Sequence, residues 1–346
     1  MEGRLRDDGA DPTVVVGGDA RQRFHDARGY GRPLDGNRIE LAPVEAAHLL
    51  FRGDLDAVGD GGRLGFRDLL ARTGVVLEFV VYKDLRDRGF YLSPAREGWV
   101  DEPGGADLVV YPRGKGPADG AVAHRVRVLG ERDPVPVASL GDVALAVVDE
   151  EGELTYFATE RATAAGDAGG ERDPLPDAVE ASLLADRALV WDPPAALYDA
   201  AFYGQRLAGR NADAGPLQLS LVEAAYLARG GALALEEAAV AERGRAVEGD
   251  RFDRRLTAYA ALRDAGAVPK SGFKFGADFR VYDAFDSVAE MGHSDRLVRV
   301  VEPDRELLPR DLSLDVRLAG GVRKRMVFAL TAAGSVRWLA ADRLTP

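Results

Sequence analysis

The 346-residue chain contains no cysteine, so disulfides, thiol nucleophiles and thiolate metal sites are all excluded. Histidine is nearly as scarce: His25, His48, His124 and His293 are the only imidazoles, too few for a structural zinc site. Apolar runs such as Ala144 to Val148 fall far short of the ~20 residues of a spanning helix, and the charged N-terminus lacks a signal-peptide core. The expectation is a protein that stays in the cytoplasm, with no membrane partner. Lysine is the third shortage, with five residues (Lys83, Lys115, Lys270, Lys274 and Lys324) against 40 arginines.

What is present is acid. The chain carries 57 acidic against 45 basic side chains, a net charge of −12. With arginine in place of lysine, this balance suggests a GC-rich genome and life in concentrated salt, where an acidic surface keeps a protein dissolved. The charge is unevenly spread: residues 251–346 sum to +4 and residues 1–250 to −16. An anionic ligand belongs on the C-terminal quarter.

The chain repeats itself. Tyr30-Gly31-Arg32-Pro33-Leu34 and Leu41-Ala42-Pro43-Val44-Glu45-Ala46-Ala47 return as Tyr203-Gly204-Gln205-Arg206-Leu207 and Leu219-Ser220-Leu221-Val222-Glu223-Ala224-Ala225. Tyr82 to Gly89 returns as Tyr259 to Gly266, and Ala106 to Tyr111 as Ala277 to Tyr282. A unit of half the chain is too long for a solenoid and right for two fused globular copies. The fold expected is α/β, a tandem duplication in which each copy has a small N-terminal α/β subdomain and a C-terminal mixed-sheet module. The divisions are 1–70 and 71–157 for copy one, an Ala/Gly/Asp/Pro-rich linker at 158–180, then 181–250 and 251–346 for copy two.

In each copy the Val-Glu-Ala-Ala run is spaced as an amphipathic helix, and a second helix ends at Gly89 or Gly266. Phe273, Phe275, Phe279 and Val281 alternate about Gly276 as a half-buried hairpin, and Leu297 to Val301 reads as a strand. Residues 309–319 read as a helix with Leu312, Val316 and Ala319 on one face and Gly320 past its end. A last hairpin joins Met326–Leu330 to Val336–Leu339 about Ala332-Ala333-Gly334.

Three groups of copy two stand at strand edges beside turn residues: Tyr282, His293 in Met291-Gly292-His293-Ser294, and Lys324 in Gly321-Val322-Arg323-Lys324-Arg325. A phenol, an imidazole and an ammonium suffice to cleave RNA without metal, as base for the 2′-hydroxyl, acid for the 5′-oxygen and cation for the phosphorane. Taken singly, a strand-terminal tyrosine also serves packing, a lone histidine structure, and Arg-Lys-Arg a solvated face.

The segments Ser271 to Tyr282, Gly292-His293-Ser294 and Arg317 to Lys324 together resemble the archaeal tRNA-splicing endonucleases, in the two-repeat homodimeric form of that family. The resemblance implies metal-independent cleavage at the bulges of a bulge-helix-bulge element in intron-containing precursor tRNA, leaving 2′,3′-cyclic phosphate and 5′-hydroxyl ends, with no cofactor. It makes Tyr282 the general base, His293 the general acid and Lys324 the stabiliser of transition-state charge. A free phenol ionises near ~10, so Tyr282 would need a nearby cation such as Lys324. Arg317 matches an arginine that helps sandwich a flipped bulge base, and Arg337 is chosen as its partner; a surface ion pair is the competing reading for both. Gly320-Gly321 stands where the family often has His-Ser. Copy one keeps Tyr111 and His124, but aligning Val143–Phe157 with Arg325–Leu339 places Asp142 opposite Lys324, and Pro112 to Gly120 reads as an inserted loop, so copy one is expected to be structural. One active copy per chain and two cuts per intron imply a homodimer, for which Asp283, Asp286 and Glu290 are candidate acidic docking residues.

Two other readings remain open. Pro303-Asp304 with Asp315-Val316-Arg317 imitates the carboxylates of a metal-dependent, restriction-like nuclease. A non-catalytic RNA-binding subunit is the second. Because phosphate contacts weaken steeply with salt, an acidic protein that cuts RNA must rely on shape and base stacking. Cleavage of a bulge-helix-bulge transcript is therefore expected to persist from low to molar salt, and a time course across that range checks it.

Overall fold

Both Val-Glu-Ala-Ala runs are helices, and a buried glutamate fixes where each begins. The computed structural model describes the chain except residues 8–10, 60, 61, 166–173, 210, 211, 213 and 333. In copy one, α1 (Pro43–Phe51) is followed by α2 (Phe66–Thr73) and α3 (Val76–Asp87). In copy two, α4 (Leu221–Arg229), α5 (Glu237–Glu248) and α6 (Arg251–Asp264) precede α7 (Pro309–Gly321). Glu45 accepts from the Ala42 N–H at 2.9 Å and the Gly31 N–H at 2.7 Å. Glu223 does the same with Ser220 at 3.1 Å and Gly204 at 3.0 Å. Each carboxylate thus satisfies a helix start and pins the glycine of the repeated Tyr-Gly pair. Those glycines cannot be replaced cheaply: φ is +59° and +64°, and a Cβ would fall 2.3 Å from the Glu40 carbonyl oxygen or 2.6 Å from that of Gln218. Gly89 and Gly266, at φ +88° and +85°, follow α3 and α6 as left-handed caps.

The two copies share one ten-stranded sheet. From one edge its strands are Val268–Ser271, Phe279–Tyr282, Arg296–Val301, Arg325–Ala332 and Ser335–Leu344 of copy two, then Leu154–Ala162, Val143–Val148, His124–Gly130, Leu108–Val110 and Leu92–Pro94 of copy one. The order is a palindrome about the antiparallel seam in which Tyr156 to Ala162 pairs with Leu344 to Trp338. Within each half one pair is parallel, Arg296–Val301 with Arg325–Ala332 and His124–Gly130 with Val143–Val148. Smaller sheets of six and four strands hold residues 2–64 and 182–220.

Three apolar cores follow from the alternation of these strands. Val14, Ile39 and Leu49 pack with Leu85, Leu108 and Ala146 in copy one. Leu197, Phe202 and Leu219 pack with Tyr259, Val281 and Val298 in copy two. Continuous cores therefore cross the 70/71 and 250/251 divisions. The third lies on the opposite sheet face and belongs to both copies, with Leu145, Val147 and Phe157 against Leu312, Val316, Phe328 and Leu339.

Several expectations need correction. Phe273–Phe275 is a 3-10 turn, not strand, with Phe273 87% exposed; the hairpin is Val268–Ser271 with Phe279–Tyr282. The chain closes a local turn there, with the Phe275 N–H donating to the Gly272 carbonyl at 2.8 Å and the Gly276 N–H to that of Phe273 at 3.1 Å. α7 continues through Gly320 and Gly321, as its backbone bonds are unbroken to that point. Residues 158–162 of the expected linker are strand, because Ser335–Leu344 supplies them with a partner. Residues 166–173 of it, and Ala333 of the last turn, lie outside the described residues.

The two buried glutamates differ in two partners, since Glu223 alone accepts from a hydroxyl, that of Ser220 at 3.0 Å, and from an ammonium. Glu223 also receives Lys270 Nζ at 2.8 Å; burial disfavours its charge, but Lys270 outweighs that and leaves the carboxyl below its ordinary value. Ser93 takes the place of Lys270 in copy one, and burial drives Glu45 up to about 7 despite its two N–H donors. Between about pH 4.5 and 7 the folded chain then keeps a proton that the unfolded chain has lost, so stability falls as pH rises through that window. We expect Glu45→Gln to flatten the decline in Tm from pH 5 to pH 8. Lys270→Ala, which strands Glu223, should cost about 3–5 kcal/mol in denaturant titration.

Candidate active site

Three chain segments meet at one end of the copy-two half sheet, and two backbone bonds join them. The Asp295 N–H donates to the Val281 carbonyl at 2.8 Å, and the Arg325 N–H donates to the Asp295 carbonyl at 3.1 Å. Tyr282 follows the first of these residues, His293 and Ser294 precede the second, and Lys324 precedes the third. Strand pairing thus brings together residues far apart in sequence.

Lys324 is delivered by the end of α7. Its N–H donates to the Ala319 carbonyl at 2.9 Å and that of Arg323 to Gly320 at 3.0 Å, a Schellman closure with Arg323 at φ +56° where glycine is usual. The ammonium donates to the Ser294 carbonyl and lies 5.8 Å from the Phe275 ring centroid. Burial lowers its pKa, with Asp295 opposing and Arg280 reinforcing the shift. Tyr282 is buried, edge-on to Phe202 at 5.9 Å, and the Arg280 guanidinium stands 5.9 Å from its ring centroid.

His293 is exposed, and among the described residues its ring has no hydrogen-bond partner. The segment carrying it is nevertheless anchored. The Asp283 N–H donates to Asp295 Oδ2 at 2.9 Å, Phe285 stacks on Phe202 at 5.5 Å, and the Val288 N–H donates to the Asp199 carbonyl at 3.0 Å. Asp283 also ion-pairs with Arg296, which donates to the Thr163 carbonyl at 2.8 Å and the Ala165 carbonyl at 3.2 Å. This corrects the reading of Asp283 as a docking acid, since its charge is committed inside the chain; Asp286 and Glu290 are exposed.

Arg317 is on the exposed face of α7 and Arg337 on the Ser335–Leu344 strand; neither forms an ion pair among the described residues. Arg337 pairs with Leu330 across the last hairpin, five residues along the strand from Arg325. The restriction-like pair fails to assemble, because Asp315 is buried against Arg299 at 2.7 Å while Asp304 sits exposed. Among the described residues no cluster of three His, Asp or Glu side chains suits a metal, and no helix is long and apolar enough to cross a membrane.

The sheet gives a better alignment of the copies than the chain does. Val143, Leu145 and Val147 face the shared core as Met326, Phe328 and Leu330 do, so Val143 matches Met326. Gly141, not Asp142, then occupies the place of Lys324, and Asp142 pairs with Arg161 at 3.0 Å. Likewise Val126 and Val298 pair with Leu108 and Phe279, which matches His124 to Arg296 rather than to His293. Pro112 to Ala123 then corresponds to Asp283 to Asp295 and is no insertion. Tyr111 alone has its counterpart, and its hydroxyl donates to Ser93 Oγ at 3.0 Å. The one-residue slip arose because the runs Val143–Val148 and Met326–Leu330 are each apolar throughout. Arg280 went unremarked in the sequence, although period-two alternation puts it on the Tyr282 face.

The protein is a duplicated α/β molecule in which one copy bears a phenol, an imidazole and an ammonium at a strand end and the other does not. Residues 252–338 match the catalytic C-terminal domain of the tRNA intron endonucleases, and residues 1–70 and 179–242 match their N-terminal domain. The chain is 66% identical to the tRNA-splicing endonuclease of Haloferax volcanii and 57% identical to that of Halobacterium salinarum, each over the full length of both chains. Identity to the tRNA-splicing endonuclease of Methanosarcina acetivorans is 37%, over 96% of this chain and 97% of the other. The chain therefore belongs to the tRNA intron endonuclease family, and it is an RNA-cleaving enzyme.

Arg296→Ala would leave Asp283 half-buried without its partner and free three carbonyls. A loss of about 3 kcal/mol in denaturant unfolding is expected.

Proposed function

We propose that the chain excises introns from precursor tRNA by metal-independent cleavage at bulge-helix-bulge sites, acting as a homodimer. Supporting this is the convergence of Tyr282, the His293 segment and Lys324 through the Val281–Asp295–Arg325 ladder, in the module of residues 251–346, whose net charge is +4. The substrate's 2′-oxygen attacks the adjacent phosphorus as its proton passes to Tyr282 Oη. The phosphorus–O5′ bond then breaks, O5′ takes a proton from the His293 ring, and Lys324 offsets the negative charge of the phosphorane. The products are a 2′,3′-cyclic phosphate and a 5′-hydroxyl, and no metal or cofactor enters the balance.

Gly141 stands where an ammonium is needed in copy one, and His124 occupies a strand position unlike that of His293. Two cuts per intron accordingly call for two chains. Arg317, exposed and without an ion pair among the described residues, would stack on an unpaired bulge base. Arg337, exposed on the last hairpin, is the candidate for the second arginine of that clamp.

The test is incubation with a labelled bulge-helix-bulge transcript in EDTA, followed by analysis of the ends. Cuts in both bulges with cyclic-phosphate ends are expected, reduced about 100-fold or more in Lys324→Ala and His293→Ala. Cleavage that returns only with magnesium would support the restriction-like reading, and binding without cleavage a non-catalytic subunit.

A further inference from the structure

Arg280 is the one strongly basic group at the site that the mechanism leaves unused. It lies two residues before Tyr282 on the same face of the Phe279–Tyr282 strand, with its guanidinium 5.9 Å from the Tyr282 ring centroid. Directly across the ladder is Lys270, whose ammonium is consumed by Glu223 and by the Phe202 and Gly204 carbonyls. No such partners serve Arg280. Among the described residues its guanidinium makes no ion pair and no hydrogen bond, and its Nε is buried. Its charge is felt by both neighbouring lysines, disfavouring their protonated forms after burial has already done so.

A half-buried guanidinium without a carboxylate, set among two ammonium groups, costs free energy in the empty site. An anion would remove that cost. Copy one has no such arrangement: matching Leu108 to Phe279 places buried Val109 at the Arg280 position, Ser93 at Lys270 and Gly141 at Lys324. All three cations are thus confined to the copy that carries the site.

We propose that Arg280 binds a non-bridging oxygen of the scissile phosphate alongside Lys324 and is a fourth catalytic residue, an inference that rests on the cleavage reaction proposed above. A guanidinium donates in the plane of two phosphate oxygens, whereas an ammonium acts as a point charge, so the two are complementary. The site then carries two cations for a phosphorane that gains negative charge, and the anion lies between groups that otherwise repel.

The experiment is single-turnover cleavage of a bulge-helix-bulge RNA carrying, at the scissile position, either phosphorothioate diastereomer, with saturating full-length wild type, Arg280→Ala, Arg280→Lys and Lys324→Ala. We expect Arg280→Ala and Arg280→Lys to lose roughly 100-fold in rate with RNA affinity little changed, and to lose wild type's discrimination between the diastereomers. Wild-type rates with discrimination intact in the Arg280 variants would overturn the inference, as would a defect that vanishes at saturating enzyme. Should Arg280→Ala not fold, as judged by circular dichroism, Arg280→Lys decides alone, since it keeps the charge and removes only the planar fork. Wild-type cleavage by Lys324→Ala would instead remove the underlying mechanism, and this inference with it.

Discussion

The antiparallel seam between Leu154–Ala162 and Ser335–Leu344 is the constraint on which the rest of the molecule depends. Each strand would otherwise be a long open edge on its own half sheet, a template for pairing with other chains. Joined, they make one ten-stranded sheet whose palindromic order gives the two copies an approximate twofold relation, with Thr159 opposite Ala341 at its centre. Arg325 spans the seam to Glu160 at 2.6 Å and pairs with Asp342 at 2.6 Å. Phe157, Leu339, Leu145 and Phe328 then bury one face that neither copy could cover alone. Hydrophobic burial supplies the driving force here, and the ladder sets the register.

That shared core gives copy one, which has Gly141 at the position of Lys324, a structural part in the architecture. Leu145 and Phe157 of copy one form part of the floor on which α7 rests, and α7 in turn presents Lys324 at its C-terminal end. Copy one also satisfies the start of α7 directly: the Arg310 N–H donates to the Glu131 carbonyl at 3.1 Å, and the Val137 N–H donates to the Arg305 carbonyl at 2.9 Å. The strand Val135–Pro136 pairs with Glu306–Leu307 just ahead of the helix. Copy one therefore holds the start and the buried face of the helix that carries Lys324 at its end.

Strain and unpaired charge gather around the same helix end. Arg323 holds a left-handed conformation in which a side chain is unfavourable, and Arg280, with a buried Nε that lacks a hydrogen bond, has no ion pair among the described residues. In copy one Gly141 at φ +111° and Asp142 at φ +63° make the corresponding turn, and Val109 fills the core at the Arg280 position. The buried glutamates show the same divergence, because Glu223 has Lys270 whereas Glu45 has only backbone donors. The equipped copy is thus the more charged inside, and the other the more apolar.

Much of this was legible in the residues alone. Duplication, the helices of the Val-Glu-Ala-Ala runs, the glycine caps after α3 and α6, and the three chemistry-bearing groups of copy two are local patterns, written in periodicity and turn residues. Pairing is not local. That Tyr282, His293 and Lys324 converge depends on which strands lie beside one another, and that Asp283 is spent on Arg296 depends on a segment more than a hundred residues earlier holding the same guanidinium. The match of Gly141 to Lys324 needed the facing of each strand, because an unbroken apolar run reads the same when slipped by one residue. By itself the sequence determined the elements, the repeat and the chemical types at hand; only the tertiary structure decided their register, their partners and which cation was left without one, since those follow from strand pairing and burial between distant segments.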